Sequence, residues 1–116
     1  MDKNAIAKKL NRNVEVVMSS FENYGITVVS YGFCRIDEDT GSLDLLVEIE
    51  EESGFRLEHD LQLKANLYDE DHDIIYSGNE FIYEDDFAGY DTICLHLGGD
   101  DLANHAKSCR IYVTKG

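Results

Sequence analysis

The sequence predicts a mainly β protein: an antiparallel β-sandwich of six to seven strands with an N-terminal α-helix. Three observations carry this. From residue 26 onward apolar residues recur at every second position, the period of a half-buried strand. Polar, often glycine-containing turns separate those runs at short intervals, as in antiparallel sandwiches. Before Gly25 the period is three to four residues, that of a helix. With 116 residues, 43% of them apolar, the chain can close one core but not two ordinary ones. Residues 1–116 therefore read as one domain, helical over about 4–22 and a sandwich over about 26–114.

The elements follow in order. Asp2 or Asn4 can cap the first segment, and Ala5, Ile6, Ala7, Lys8, Lys9 and Leu10 are mostly good helix formers. Ile6, Leu10, Val14, Val17, Met18 and Phe21 keep helical spacing, with Gly25 as a C-terminal stop. Val14, Val16 and Val17 are β-branched, and Val14, Val16 and Met18 also alternate, so the helix end stays open between about 12 and 23. Residues 26–36 (ITVVSYGFCRI) are rich in strand formers. DEDTG is a turn in which Gly41 can take positive φ. Leu43, Leu45, Val47 and Ile49 then mark a strand with one buried face, and EESG turns the chain. Leu61, Leu63, Ala65 and Leu67 mark the next strand, followed by the acidic turn at 69–73. Residues 74–83 form a strand with a bend or bulge expected at Gly78. After the EDDFAG loop, Ile93, Leu95 and Leu97 face one way while Thr92, Cys94 and His96 face the other. GGDD is a turn, and Cys109, Ile111 and Val113 mark the closing strand.

Charge narrows the function. Twenty-four acidic residues against ten basic ones leave a net charge of −14, a surface that repels phosphates and excludes nucleic acid as a partner. The acids are concentrated: residues 37–105 hold 21 of them and only Arg56 and Lys64 as bases. No apolar run is long enough to span a membrane. The first residues, MDKNAIAKKLNRN, lack the apolar stretch of a secretory signal. Cys34, Cys94 and Cys109 form no CxxC pair, and each sits in an apolar run. They read as buried, reduced thiols, and together with the missing signal they predict a cytoplasmic protein.

Leu67-Tyr68-Asp69, followed by an acidic turn and the strand IIYSGNEFIY, resembles FxLYD-type domains. These are small bacterial β-sandwiches of immunoglobulin or fibronectin-III character. The resemblance covers roughly residues 43–114, with LDLLVEIEEESG as the preceding strand and loop and CRIYV as the closing strand. The chain departs from that family at His72, where a turn glycine is usual. It also lacks the family's later Pro-Gly pair and adds an N-terminal helix. The resemblance implies an immunoglobulin/fibronectin-III-like sandwich and a non-enzymatic module, and it carries over no catalytic residues.

Several constellations bear on chemistry. Asp69, Asp71, Asp73 and Glu80 fall at the ligand offsets of an EF-hand loop, with Asp85, Asp86 or Asp91 as further oxygen donors. Ile74 stands where that loop needs glycine, and strands flank it, so a solvated acidic hairpin turn is the expectation and calcium the minor alternative. Cys94 and His96, two apart on a strand, point to one face and offer two zinc ligands, but no knuckle supplies the rest. No orienting third residue can be named to make them a nucleophile and base. His59, His72 and His105 read as solvated. Ser30 and Ser77 have no nucleophile-elbow context, and Gly98 and Gly99 precede aspartates that repel phosphate. The sequence therefore predicts no enzyme, no cofactor and no resident metal.

Aromatic residues amid the acids suggest a contact surface for a basic protein. Its candidate members are Tyr68, Asp69, Asp71, Tyr83, Asp85, Asp86, Phe87 and Tyr90. Two functional readings follow. The first is an acidic protein-interaction module, with self-association through an edge strand open. The second is an inhibitor, immunity or DNA-mimic protein that presents carboxylates to a basic nucleic-acid-binding partner.

Overall fold

The computed structural model describes residues 3–37, 39–52, 57–99 and 101–116. The Asp2 cap, Arg56 and parts of the DEDTG, EESG and GGDD turns lie outside these residues. Two sheets face each other across one core. One has the order β1-β7-β4-β5, built from β1 (Val14–Val16), β7 (Ser108–Lys115), β4 (Leu61–Tyr68) and β5 (Ile74–Ile82). The other has the order β2-β3-β6, built from β2 (Ile26–Ile36), β3 (Leu43–Glu51) and β6 (Tyr90–Leu97). The chain lays two strands in the second sheet and two in the first, then returns once to each. That is the Greek-key wiring of immunoglobulin-type sandwiches.

The alternation predicted from sequence is what fills the core. Leu43, Leu45, Val47 and Ile49 of β3 face inward with no solvent exposure, opposite Leu61, Leu63, Ala65 and Leu67 of β4. Ile93, Leu95 and Leu97 of β6 and Cys109, Ile111 and Val113 of β7 complete the two inner faces. Among the described residues no polar or charged residue is buried, so the core is apolar throughout and solvation drives its assembly.

The N-terminal segment departs from one continuous helix. It forms α1 (Lys3–Arg12), then β1, then α2 (Met18–Glu22). Val14–Val16 satisfies both periods, and the open edge of β7 decides between them. β1 lies parallel to β7 with Val14 opposite Cys109 and Val16 opposite Ile111. The Cys109 amide donates to the Asn13 carbonyl at 3.0 Å, the Val17 amide to the Ile111 carbonyl at 2.9 Å, and the Val113 amide to Ser20 Oγ at 3.1 Å. The segment thus blocks the β7 edge over most of its length. It also reaches the other sheet, where Asn11 Oδ1 accepts from the Phe33 amide at 2.7 Å. Leu10 and Phe21, the apolar residues of α1 and α2 that face the sandwich, are fully buried.

Turn glycines behave as the sequence requires at two places. Gly25 after α2 has φ +70°, and Gly41 in the β2–β3 turn has φ +75°. Gly41 is buried under the chain leading into α3 (Leu102–His105), where Ala103 donates its amide to the Gly41 carbonyl at 2.8 Å. Gly78 departs from expectation. The β4–β5 ladder runs through it without interruption, and the bulge lies at Ile75, between the Leu67–Tyr76 and Tyr68–Ile74 pairs. Glycine is needed at 78 because a Cβ there would collide with the Leu97 side chain.

Candidate functional site

The acidic turn between β4 and β5 brings Asp69, Asp71 and Asp73 together, with ligand oxygens within 4.8 Å of one another. Its geometry is that of a self-contained hairpin turn. Asp69 Oδ1 accepts the amides of Asp71 and Asp73, both at 3.0 Å, so one of its carboxylate oxygens organises the backbone of the turn. Glu80 does not join them. It pairs opposite Leu63, six residues along β5 from Ile74, about 20 Å of extended strand away.

The expected aromatic and acidic contact surface is divided and reduced. Asp69 and Asp71 stand at one end of the β4–β5 hairpin, whereas Tyr83, Asp85, Asp86 and Tyr90 follow its other end. Neighbours in sequence between 68 and 91 are separated because β5 carries the chain from one end of the sheet to the other. Phe87 is 2% exposed and belongs to the core, and Tyr68 is 7% exposed. Tyr68 packs instead beneath His72, with Arg110 over its ring at 5.7 Å. Tyr90 lies on the outer face of the β2-β3-β6 sheet and donates its hydroxyl to Glu48 Oε2. That bond holds the Glu48 carboxyl below its usual range and pushes the Tyr90 phenol up.

A surface that sequence reasoning passed over lies on β5. Phe81 faces outward with Gln62, and its ring stacks on Tyr83 with centroids 5.7 Å apart and planes 13° from parallel. Both rings are exposed, 42% and 51%. Glu80, Glu84, Asp85 and Asp86 accompany them in sequence. β5 ends its sheet, and among the described residues no strand pairs with its outer side. Strict alternation hid this surface, since Phe81 reads as one more apolar strand residue.

The outer face of the other sheet gathers Asp44, Cys94 and His96. Their ligand atoms lie within 4.8 Å of one another, and His96 Nδ1 sits 2.7 Å from Asp44 Oδ1. Asp44 is thus the third residue that the sequence left unnamed. It was hidden because only the β3–β6 register, with Asp44 opposite His96, makes it a neighbour. Burial, together with the charges of Asp44, Cys34 and Glu80, raises the Cys94 thiol pKa. That opposes a free thiolate at Cys94. The cysteines themselves differ in exposure: Cys109 is buried, Cys94 half-buried and Cys34 exposed, so burial of all three is corrected.

No family model matches the chain, and no curated protein does. Two solved structures overlap it weakly. A glycosyl hydrolase family 2 member from Bacteroides cellulosilyticus is 9% identical, with a TM-score of 0.41 over 82% of this chain and 15% of that one. A second structure of a member of that family from the same species is 6% identical, with a TM-score of 0.38 over 79% of this chain and 13% of that one. The present chain therefore spans a small fraction of either. No helix among the described residues is long and apolar enough to cross a membrane.

Proposed function

We propose that this chain is a non-enzymatic interaction module that receives a basic segment of another protein along the outer edge of β5 and the loop after it. The exposed Phe81–Tyr83 stack on an unpaired edge strand carries this reading. An open edge offers backbone donors and acceptors to an added strand. Exposed aromatics supply the anchors that dominate binding energy at interfaces. The carboxylates of Glu84, Asp85 and Asp86 favour lysine and arginine on the partner and speed encounter. A second copy of this chain is a poor occupant, because it too carries −14. The Leu67-Tyr68-Asp69 resemblance to FxLYD-type domains supports a module over a catalyst. Three unpaired cysteines accord with a reducing, cytoplasmic setting.

The test is affinity capture with the full chain and stepwise salt elution, repeated with a F81A/Y83A double variant. Both rings lie on the surface, so the variant should retain the fold, checked by circular dichroism. The expected result is a basic partner that elutes as salt rises and is lost with the double variant. A nucleic-acid-binding protein that DNA displaces from the chain would specialise the reading to inhibition. Capture of no partner, or capture indifferent to both rings, overturns it.

A further inference from the structure

We propose that Asp44, Cys94 and His96 form a binding site for one zinc-class divalent cation on the outer face of the β2-β3-β6 sheet. His96 and Asp44 are directly opposed across the β3–β6 ladder, and Cys94 is the next outward residue along β6. One ligand atom from each already lies within 4.8 Å of the others. The framework holding them is rigid. Leu43 and Leu45 flank Asp44, Leu95 and Leu97 flank His96, and all four side chains are at most 1% exposed. A cation here would join two paired strands whose register is fixed without it.

The donor set selects the ion. One sulfur, one imidazole nitrogen and one carboxylate oxygen suit zinc and its neighbours, whereas calcium and magnesium want oxygen alone. Three protein ligands with a fourth position open is the arrangement of zinc sites that keep an exchangeable place. With Zn–N and Zn–O bonds near 2.1 Å, tetrahedral donors stand about 3.4 Å apart. The His96–Asp44 pair at 2.7 Å must therefore open by less than about 1 Å. The His96 side chain, 75% exposed, is free to make that adjustment. A thiolate and a carboxylate together neutralise a dication, so the loaded site carries no excess charge.

Cys34 is not a ligand. β2 and β6 flank β3 on opposite sides, two strand spacings or about 9.6 Å apart. The Cys34 thiol instead donates to the Asp44 carbonyl at 3.6 Å. Cys34 therefore does not supply the fourth ligand.

Cobalt(II) is the probe, added to the reduced full-length chain. The expected result is one bound ion per chain, showing the intense visible bands of four-coordinate cobalt and a thiolate-to-cobalt charge-transfer band. Zinc should displace it. C94S should abolish the charge-transfer band, and H96A or D44N should weaken binding by about tenfold or more. C34S and D71N should leave binding intact, which separates this site from the acidic turn. All five positions lie at the surface or half-buried, so the variants should fold. Cobalt that fails to bind, or binds without the charge-transfer band, overturns the proposal. So does binding that survives unchanged without His96 or Asp44.

Discussion

The imidazole of His72 stacks on the ring of Tyr68, with centroids 4.6 Å apart and planes 10° from parallel. His72 also has φ +65°, a left-handed conformation that costs a non-glycine residue about 1–2 kcal/mol. The stack, at about 0.5–1.5 kcal/mol, offsets that strain and explains how histidine occupies a left-handed position. H72A keeps the strained backbone and loses the ring, so it should lose about 1 kcal/mol in urea unfolding. H72G loses the ring but relieves the backbone, and should be more stable than H72A by about 1 kcal/mol. Equal stabilities for the two variants would show that the backbone strain is not there.

β3, β4, β6 and β7 were legible because each buries one face, and burial imposes a period of two that sequence preserves. β2 and β5, which bury only three residues and one, were legible from their strand-forming residues and flanking turns. β1 was not, because Val14, Val16 and their neighbours satisfy both periods and only the distant β7 edge chooses between them. Gly78 shows a second limit: a glycine at a bulge and a glycine beneath Leu97 look the same in sequence. At the candidate contact surface, adjacency in sequence is not adjacency in space, because β5 separates residues 68–71 from residues 83–90. Phe87 reads as a loop aromatic but is a core residue. Asp44 becomes a neighbour of His96 only through a register that no local pattern encodes.

The strap formed by α1, β1 and α2 can be tested at Val17. Its φ is −79°, which proline accepts, and its amide donates to the Ile111 carbonyl. V17P therefore deletes one donor with little backbone strain. The expected loss is about 1–3 kcal/mol, from an acceptor left unsatisfied and a half-buried side chain trimmed. Faster amide exchange at Cys109 and Val113, whose amides bond to the strap, should accompany it. Unchanged exchange there would mean that the β7 edge is held by β4 alone.

Gly78 and Leu97 should be coupled. A methyl at 78 meets the Leu97 side chain, so G78A should lose about 1–3 kcal/mol by overpacking. L97A should lose about 2–5 kcal/mol by leaving a cavity. In G78A/L97A the new methyl enters the vacated space, so the double variant should cost less than the two single losses combined, by about 1 kcal/mol or more. Additive losses would place the glycine requirement elsewhere.

Cys109 sets an alkaline limit to stability. Burial pushes its thiol up to about 12, from an ordinary 9.0. Between those values the unfolded chain gives up the proton while the folded chain keeps it. The unfolded state then binds fewer protons, so stability falls as pH rises. Below about pH 8 the group contributes almost no slope. Integrating the shift gives a loss of about 1.4 kcal/mol between pH 8 and 10. C109V, which keeps the side chain small and apolar, should remove that loss, leaving a shallower fall in urea midpoint over the same range. The same burial orders thiol reactivity. A maleimide at neutral pH should label exposed Cys34 first, half-buried Cys94 next and Cys109 only as the sandwich opens. Peptide mapping at partial labelling reads this order, and early modification of Cys109 would show that the strap over the β7 edge does not stay closed.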